Sequence, residues 1–242
     1  MPQTVGSENY MNSDYMEYQK KHRNSIRESD KVTIELIEKN LPAGNKLKLL
    51  DVGCHNGNLL YHINKAIPNL HLKGIDLFPG VVEGCRNDPQ LSGISFEVMD
   101  VKDLHSTKAD IVVVSAVMFR FNDNEYSHIC HNFYRCLESG GTLVMFDLFN
   151  PFRQTLQIVE MTPTHPAGLV LNLRFQGEIE KKLVNAGFSE ICFQMFEIPI
   201  DLPLVDPQDP LFTHTVRTKS DKRLQFRGSL YQPWCHLVAK KV

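Results

Sequence analysis

The sequence lacks any hydrophobic run long enough to cross a membrane. The longest strongly apolar stretch among its 242 residues is IVVVSAVMF, Ile111 to Phe119. This stretch is far shorter than the roughly 20 residues that span a bilayer, so we interpret it as a buried strand. The polar and aromatic N-terminus also lacks the apolar core of a signal peptide. We therefore expect a soluble, cytoplasmic protein with no membrane partner.

An excess of charge of either sign is also missing. Lys and Arg number 26 against 28 Asp and Glu, which leaves a net charge of -2. A chain with this balance has no overall attraction to a polyanion, although a local basic face stays open. We therefore do not expect nucleic acid as the default partner.

The six cysteines show no CxxC spacing. This scatter fits reduced, mostly buried thiols better than a disulfide framework. Cys130, His131 and Cys136 are poorly spaced for a closed metal site, and no second ligand pair follows them. We therefore expect no metal ion.

Strand and helix patterns alternate from residue 47 onward. The predicted strands are residues 47–52, 70–76, 94–99, 110–115 and 142–147, and the predicted helices between them are 58–66, 79–85 and 124–137. Alternation of this kind is typical of a mostly parallel sheet with helices on both faces. Because each strand–helix–strand unit crosses over right-handed, we expect an open, doubly wound α/β sheet.

The second half of the chain departs from this alternation. A predicted helix over residues 176–185 precedes strands at 190–200 and 229–238, and irregular inserts occupy residues 148–174 and 201–226. Two late strands joined by a long loop suggest an antiparallel pair at the sheet edge. Long irregular segments tend to carry function, so we expect the inserts to contribute to the site.

The N-terminal segment, residues 1–46, precedes the main domain, residues 47–242. We predict a helix over residues 30–40, capped by Ser29 or Asp30. The segment also carries polar aromatic and basic side chains that suit a lid over a bound ligand. These side chains are Tyr10, Tyr15, Tyr18, Arg23 and Arg27.

Three carboxylates stand at the ends of three consecutive predicted strands. They are Asp51, Asp76 and Asp100. Because the carboxyl ends of parallel strands line one crevice, we expect these side chains to converge. An Asp that follows a strand is often only a turn former, but the coincidence of three favours a binding site.

The stretch LLDVGCHNGNLL, residues 49–60, has a glycine loop between a strand and a helix. Nicotinamide-binding loops read GxGxxG and bring a pyrophosphate to a helix N-terminus. Here the glycines are Gly53 and Gly57, and Asp51 stands two residues before the first of them. Its carboxylate would repel a pyrophosphate, so a cationic ligand suits this loop better.

Five short motifs resemble those of class I S-adenosylmethionine-dependent methyltransferases. The motifs are Asp51-Val52-Gly53 with Gly57, Gly74-Ile75-Asp76, Met99-Asp100-Val101, the strand Asp110 to Ser115, and Leu137 to Leu143 with its Gly-Gly turn. The resemblance covers residues 47–147 well. It implies a seven-stranded sheet of order 3-2-1-4-5-7-6 with strand 7 antiparallel, and S-adenosylmethionine as cofactor, with S-adenosylhomocysteine as product.

The resemblance also implies roles for individual positions. The matching residues are Asp51, Gly53 and Gly57 for the methionine part, Asp76 with Leu77 for the ribose, Asp100 with Val101 for the adenine, and Ser115 near the transferring methyl. His55 departs from the family, which usually has glycine there. Histidine can adopt a left-handed turn, so we expect an intact loop in which the imidazole binds cofactor or substrate, or faces solvent.

The substrate is less well defined. The end of the fourth strand, SAVMF, lacks the Asn/Asp-Pro-Pro-aromatic motif of enzymes that methylate bases of nucleic acids, and no Pro-Cys pair is present. We therefore expect a small-molecule methyl acceptor, with Arg120 as a candidate for a substrate carboxylate and His165 as a candidate general base. His214, Tyr231, Trp234 and His236 are further pocket candidates.

Three functional hypotheses follow from the sequence. The first is a methyltransferase that acts on an O, N or C centre of a small metabolite. The second keeps the cofactor but has RNA or protein as the acceptor, and the third is a non-catalytic cofactor-binding protein. The sequence leaves open the acceptor and whether the protein is a monomer or a homodimer.

Overall fold

A computed structural model describes residue 19 and residues 21–104, 107–162, 165–204 and 213–242. For His165 and Pro166 it describes the backbone only. The predicted lid residues Tyr10, Tyr15 and Tyr18 lie outside the described residues.

The described strands form one large sheet and one small sheet. The large sheet contains β1 (Lys48–Val52), β2 (His71–Asp76), β3 (Ser95–Val98), β4 (Ala109–Ser115), β5 (Leu137–Asn150), β6 (Leu156–Thr162), β7 (His165–Phe175), β8 (Ser189–Met195) and β12 (Trp234–Lys240). The small sheet contains β9 (Thr213–Arg217), β10 (Arg223–Arg227) and β11 (Leu230–Tyr231).

The main path of the large sheet runs β3-β2-β1-β4-β5-β12-β8. The first five strands along this path are parallel to their neighbours, whereas β12 is antiparallel to both β5 and β8. The predicted strands 6 and 7 are therefore β8 and β12. The doubly wound order 3-2-1-4-5-7-6, with the last strand antiparallel, is confirmed.

Helices cover both faces of this sheet. They are α1 (Glu28–Lys39), α2 (Asn58–Ala66), α3 (Pro79–Arg86), α4 (Asp123–Cys136) and α5 (Gln176–Ala186). Successive residues of a strand point to opposite faces, so β4 supplies both cores. Val112 packs with α4 and α5, whereas Ile111 packs with α1, α2 and α3. This double burial explains why β4 is apolar from Ile111 to Val114.

The glycine pair before the fifth strand forms a bulge. Ala109 pairs with Leu137 and Ile111 pairs with Thr142, so residues 138–141 are left over between two paired positions. Gly140 has a φ of 77°, and a side chain on Gly141 would lie 2.8 Å from the Glu138 carbonyl oxygen. The predicted turn is therefore present, inside β5 rather than before it.

The two inserts are not irregular, and that prediction is wrong. In the first insert, β6 and β7 form an antiparallel hairpin, and the last two residues of β7 pair with the end of β5. In the second insert, β9 and β10 pair antiparallel within the small sheet. Alternation is weak in β6, because Val159 and Met161 on its exposed side are as apolar as Leu156 and Ile158 on the other.

The start of the first helix also differs from the prediction. The helix begins at Glu28 with Arg27 as its N-cap, and no side chain caps it there. Asp30 lies in the first turn with an exposed fraction of 3%. The predicted cap at Ser29 or Asp30 is wrong because the Asp30 side chain lies in the protein interior.

Candidate functional site

The carboxyl ends of β1, β2 and β4 lie side by side. Asp51 pairs with Gly74, and Val52 pairs with both Ile75 and Val114. The ends of these strands are therefore level, and they form the crevice in which an open parallel sheet binds its ligands. The convergence expected for the predicted cofactor residues starts from this register.

The loop after β1 requires its glycines. Gly53 has a φ of 73° and Gly57 has a φ of 72°, a region that favours glycine. A Cβ on Gly53 would lie 2.6 Å from Cγ2 of Val117, a residue that follows β4. His55 has a φ of 45°, so the histidine itself adopts the left-handed turn in place of a glycine. The loop is intact without the missing glycine.

Asp76 connects this loop to the loop after β2. Its Oδ2 accepts a hydrogen bond of 2.9 Å from the His55 N–H, and its Oδ1 accepts one of 3.1 Å from the Phe78 N–H. Each oxygen keeps a lone pair for a ribose hydroxyl. Leu77, beside it, is 48% exposed and therefore open to a ligand.

Asp100 follows β3 and fixes the third loop. Its Oδ1 accepts a hydrogen bond of 2.9 Å from the Lys102 N–H, which begins a short 3-10 helix over Val101–Asp103. Val101 is buried, and the Met99 N–H donates to the Asp76 carbonyl oxygen at 2.9 Å. A backbone hydrogen bond from Met99, the residue before Asp100, therefore connects the predicted adenine loop to Asp76, the predicted ribose residue.

Asp51 differs from Asp76 and Asp100 in having no hydrogen-bond donor among the described residues. It is 2% exposed, and no described residue donates a hydrogen bond to its side chain. Burial, and then the nearby Asp30 and Asp76 carboxylates, raise the pKa of Asp51 to about 8. A buried carboxylate without a donor favours a cationic ligand that supplies one.

The turn after β4 is strained and held by a residue that the sequence did not single out. Ala116 has a φ of 56°, and its N–H donates to the Phe146 carbonyl oxygen at 2.7 Å. Asp147 Oδ2 accepts a 2.7 Å hydrogen bond from the Met118 N–H. Asp147 therefore positions the turn that follows Ser115 and carries Val117 against Gly53.

Arg120 ends the short 3-10 helix Met118–Arg120 on this turn. Burial lowers the pKa of Arg120 to about 10, an effect that the nearby Asp147 carboxylate opposes. The guanidinium stays charged at neutral pH, as recognition of an anionic substrate group requires. Its assignment to the substrate stays a prediction.

His165, the predicted base, begins β7. Its backbone pairs with Thr162, and most of β7 separates it from Arg174, where β7 meets the end of β5. Its side chain lies outside the described residues. The role of His165 therefore stays a prediction.

The described part of the N-terminal segment, residues 19 and 21–27, lies on the glycine loop. An Arg23 Nη atom donates to the Asn56 carbonyl oxygen at 2.8 Å and to Asp88 Oδ2 at 3.0 Å. The Asn58 side chain donates to the Gln19 carbonyl oxygen at 2.7 Å. The described part of the predicted lid therefore contacts the predicted cofactor loop through Arg23.

Concave surfaces are also found away from the carboxyl ends of the strands. Two shallow concavities are found at the amino ends of the strands, one of them beside Lys48, His71 and Ser95. Ligands of open parallel sheets bind at the opposite, carboxyl ends, so we assign neither concavity to the cofactor. No described group of three or more His, Cys, Asp or Glu residues could hold a metal ion, and no described helix has the length and apolarity to cross a membrane.

Together, the strand order, the glycine loop and the three acidic strand ends are the features that the sequence predicts for a nucleoside-cofactor site of the methyltransferase type. A family model described as "Methyltransferase domain" matches residues 49–141. This match covers most of the stretch that carries the five motifs, and it confirms their resemblance to class I S-adenosylmethionine-dependent methyltransferases.

Known proteins similar to this chain carry related names. A malonyl-[acyl-carrier protein] O-methyltransferase of Acetivibrio thermocellus is 29% identical over 139 residues, which are 57% of this chain and 45% of that protein. A carboxy-S-adenosyl-L-methionine synthase of Escherichia coli K12 is 23% identical over 175 residues, 62% of this chain and 71% of that protein. The chain spans about half the length of the first curated relatives that it matches.

Solved structures support the fold. Human N-acetylserotonin methyltransferase, in complex with its S-adenosylmethionine, aligns with a TM-score of 0.61 at 14% identity, over 93% of this chain and 55% of that one. The residues of the present site fit the same cofactor. The donor-poor Asp51 carboxylate suits a cationic group, and the space beside Gly53 admits no side chain.

Proposed function

We propose that the protein transfers a methyl group from S-adenosylmethionine to an O, N or C centre of a small molecule. The observation that carries this proposal is a cluster of apolar side chains beside the turn that follows β4, which we call the apolar wall. Its members include Phe119 on that turn and Leu171 on β7. When bound, S-adenosylmethionine supplies an electrophilic methyl group on a positively charged sulfur. The chain's own residues have to bind the cofactor and orient the acceptor against that methyl.

The cofactor side of the site is assigned to the three loops. Asp51, Gly53 and Gly57 would hold the amino-acid part, Asp76 the ribose hydroxyls, and Asp100 with Val101 the adenine. The strained backbone of Ala116 and the hydrogen bond to the Asp147 carboxylate fix the position of the turn after β4. This turn determines how closely an acceptor approaches from the other side.

The acceptor side is assigned to the hairpin of β6 and β7. A buried apolar cluster joins this hairpin to the turn after β4, and its members are Phe119, Leu148, Leu169, Leu171 and Leu173. Trp234 packs against the cluster and stacks on Phe146, with ring centroids 4.9 Å apart. An apolar wall with a few polar atoms is typical of a pocket for an organic molecule.

Polar contacts hold this wall in place. Asn172 Nδ2 on β7 donates to the Phe119 carbonyl oxygen at 2.9 Å, and an Arg174 Nη atom donates to the Phe121 carbonyl oxygen at 2.6 Å. The Arg227 Nε on β10 lies 3.0 Å from Glu160 Oε1 on β6, which connects the small sheet to the hairpin. The two inserts therefore form one unit beside the turn that carries Arg120.

The acceptor can be sought with the purified chain, methyl-labelled S-adenosylmethionine and a fractionated cell extract. We expect label in the small-molecule fraction, and none with the variant Asp76→Asn, whose amide would place two N–H donors at a ribose-binding position. Label in RNA or protein would contradict the proposed acceptor class. Binding of S-adenosylhomocysteine without label in any fraction would indicate the non-catalytic alternative.

A further inference from the structure

Asp30 is a buried carboxylate that the cofactor motifs leave unexplained. It lies on α1, before the sheet begins, and is 3% exposed. Burial raises the pKa of Asp30, while Arg27, His62 and the Ser29 hydroxyl act against this rise. An Asp in the first turn of a helix is ordinarily exposed and interacts with the helix dipole, which does not explain its burial here.

Asp30 faces the end of β1. The α1 helix packs against β5 and α2, on the face of the sheet to which Leu49 and Ile111 belong. Asp51 has the same orientation as Leu49 because the two are two residues apart on one strand. The Asp30 carboxylate is close enough to act electrostatically on Asp51, together with Asp76. Two buried carboxylates therefore oppose each other with no basic side chain bonded to Asp51 among the described residues.

A buried acceptor without a partner lies at the start of the helix that follows the glycine loop. Asn58, the first residue of α2, is 3% exposed, and its Nδ2 is occupied by the Gln19 carbonyl oxygen. Its Oδ1 is buried and has no hydrogen-bond partner. Asn58 lies one turn before His62, on the helix face from which His62 acts on Asp30. The Asn58 Oδ1 can therefore accept a hydrogen bond from a donor that a ligand supplies.

These groups all accept hydrogen bonds. Asp51 and Asn58 Oδ1 have no donor among the described residues, and Asp30 accepts one from the Ser29 hydroxyl. A buried acceptor without a donor costs free energy, and two close buried carboxylates cost more. A primary ammonium group supplies three N–H donors and one positive charge. The α-ammonium group of an amino acid has both properties at neutral pH.

We propose that Asp30 binds the α-ammonium group of the cofactor's amino-acid part together with Asp51, with Asn58 Oδ1 as the third acceptor. Asp30 is then a specificity residue that selects a cofactor with a free amino group. This inference rests on the cofactor of the proposed function and not on the acceptor. It assigns a cofactor contact to the N-terminal segment, outside the five motifs.

Calorimetry with two ligands tests the proposal. The ligands are S-adenosylhomocysteine and its deamino analogue, in which hydrogen replaces the α-amino group. We expect the wild-type protein to bind S-adenosylhomocysteine at least about 30-fold more tightly, since the analogue leaves buried charged acceptors unpaired. In Asp30→Asn this preference should fall about tenfold, with little change in affinity for the analogue.

The matched control is Glu35→Asn, which removes one negative charge from the exposed side of the same helix. It should leave both affinities unchanged. If Asp30→Asn weakens both ligands equally, or neither, Asp30 does not bind the ammonium and the inference is wrong. If the wild-type protein binds neither ligand, the proposed function itself fails, so the two failures are distinguishable.

Proton release provides a second measurement that a merely structural role would not affect. Asp51 has a pKa of about 8 without ligand, so at pH 7 it is largely protonated and must ionise when it binds an ammonium. Titration in two buffers of different ionisation enthalpy should show release of close to one proton. In Asp30→Asn the release should shrink, because loss of the neighbouring charge lowers the pKa of Asp51. Unchanged release would contradict the pairing of Asp30 with Asp51.

Discussion

Asp51 shows, at the scale of one residue, how a binding site can weaken the fold that holds it. The side chain is buried without a donor, and its folded pKa of about 8 lies above the ordinary value of 3.8. An acid whose pKa is raised by folding is most compatible with the fold when it is protonated. Its destabilising effect therefore grows as pH rises from about 4 to 8 and is complete above that range.

Replacement of this charge should stabilise the ligand-free protein. We expect Asp51→Asn to raise the melting temperature at pH 8.5, where the wild-type carboxylate is ionised, and to have much less effect at pH 4. Addition of S-adenosylhomocysteine should stabilise the wild-type protein and not the variant. Thermal unfolding at both pH values measures this, and a variant less stable than wild type at pH 8.5 would contradict our description of Asp51.

His236 connects β12 to α1. Its Nε2 lies 3.1 Å from Thr33 Oγ1 and 3.2 Å from the Ser29 carbonyl oxygen, and its ring lies 4.5 Å from that of Phe146. Burial lowers the pKa of His236 to about 4. The neutral ring thus stabilises the fold fully above pH 6.5, and this contribution is lost as pH falls toward 4.

The acid sensitivity of the protein should depend on this histidine. Between pH 6.5 and 4, we expect the free energy of unfolding of the wild-type protein to lose about 3 kcal/mol more than that of His236→Gln. Urea unfolding at several pH values measures the two slopes. Equal slopes would show that His236 does not titrate with folding.

At the scale of elements, Arg23 bonds the N-terminal segment directly to the cofactor loop. The Arg23 side chain is 10% exposed, bonds the Asn56 carbonyl oxygen and Asp88, and lies 5.0 Å from the Tyr61 ring centroid. These contacts involve Asn56 in the glycine loop, Tyr61 on α2 and Asp88 just after α3. Movement of the segment away from the loop would have to break all of them.

Loss of Arg23 should speed cofactor release. We expect Arg23→Met to increase the dissociation rate of S-adenosylhomocysteine about tenfold, while Lys21→Met, an exposed residue of the same segment, leaves it unchanged. Stopped-flow displacement measures both rates. If the two variants release the ligand equally fast, the segment does not restrain the cofactor.

Some helices and strands can be predicted from the sequence, and others cannot. The five parallel strands and the α2 and α3 helices were predicted within a few residues, because their apolar patterns and glycine loops are local signals. The sequence predicts irregular inserts where the structure has β6, β7, β9 and β10. The β6 strand has apolar residues on both faces, and β9 and β10 alternate over only five residues each. The position of Asp30 also depends on distant partners: its helix α1 packs against β5 and α2, which follow it in the sequence.

At the scale of the whole molecule, residues far apart in sequence meet in one crevice at the carboxyl ends of the strands. Asp51, Asp76 and Asp100 could be predicted from their places at the strand ends. Asp147 could not, because it acts on Met118, 29 residues earlier, through a contact that only the folded turn creates. The sheet thus brings the predicted cofactor residues together, and we propose that the hairpins added to it determine the acceptor.

The most direct test is a calorimetric titration of the purified chain with S-adenosylhomocysteine. We expect one ligand per chain, with affinity reduced at least about tenfold by Asp76→Asn, which disturbs the ribose contact, and unchanged by Glu97→Gln on the exposed side of β3. Absence of binding to the wild-type chain, or equal binding by Asp76→Asn, would contradict the assignment of the crevice to this cofactor.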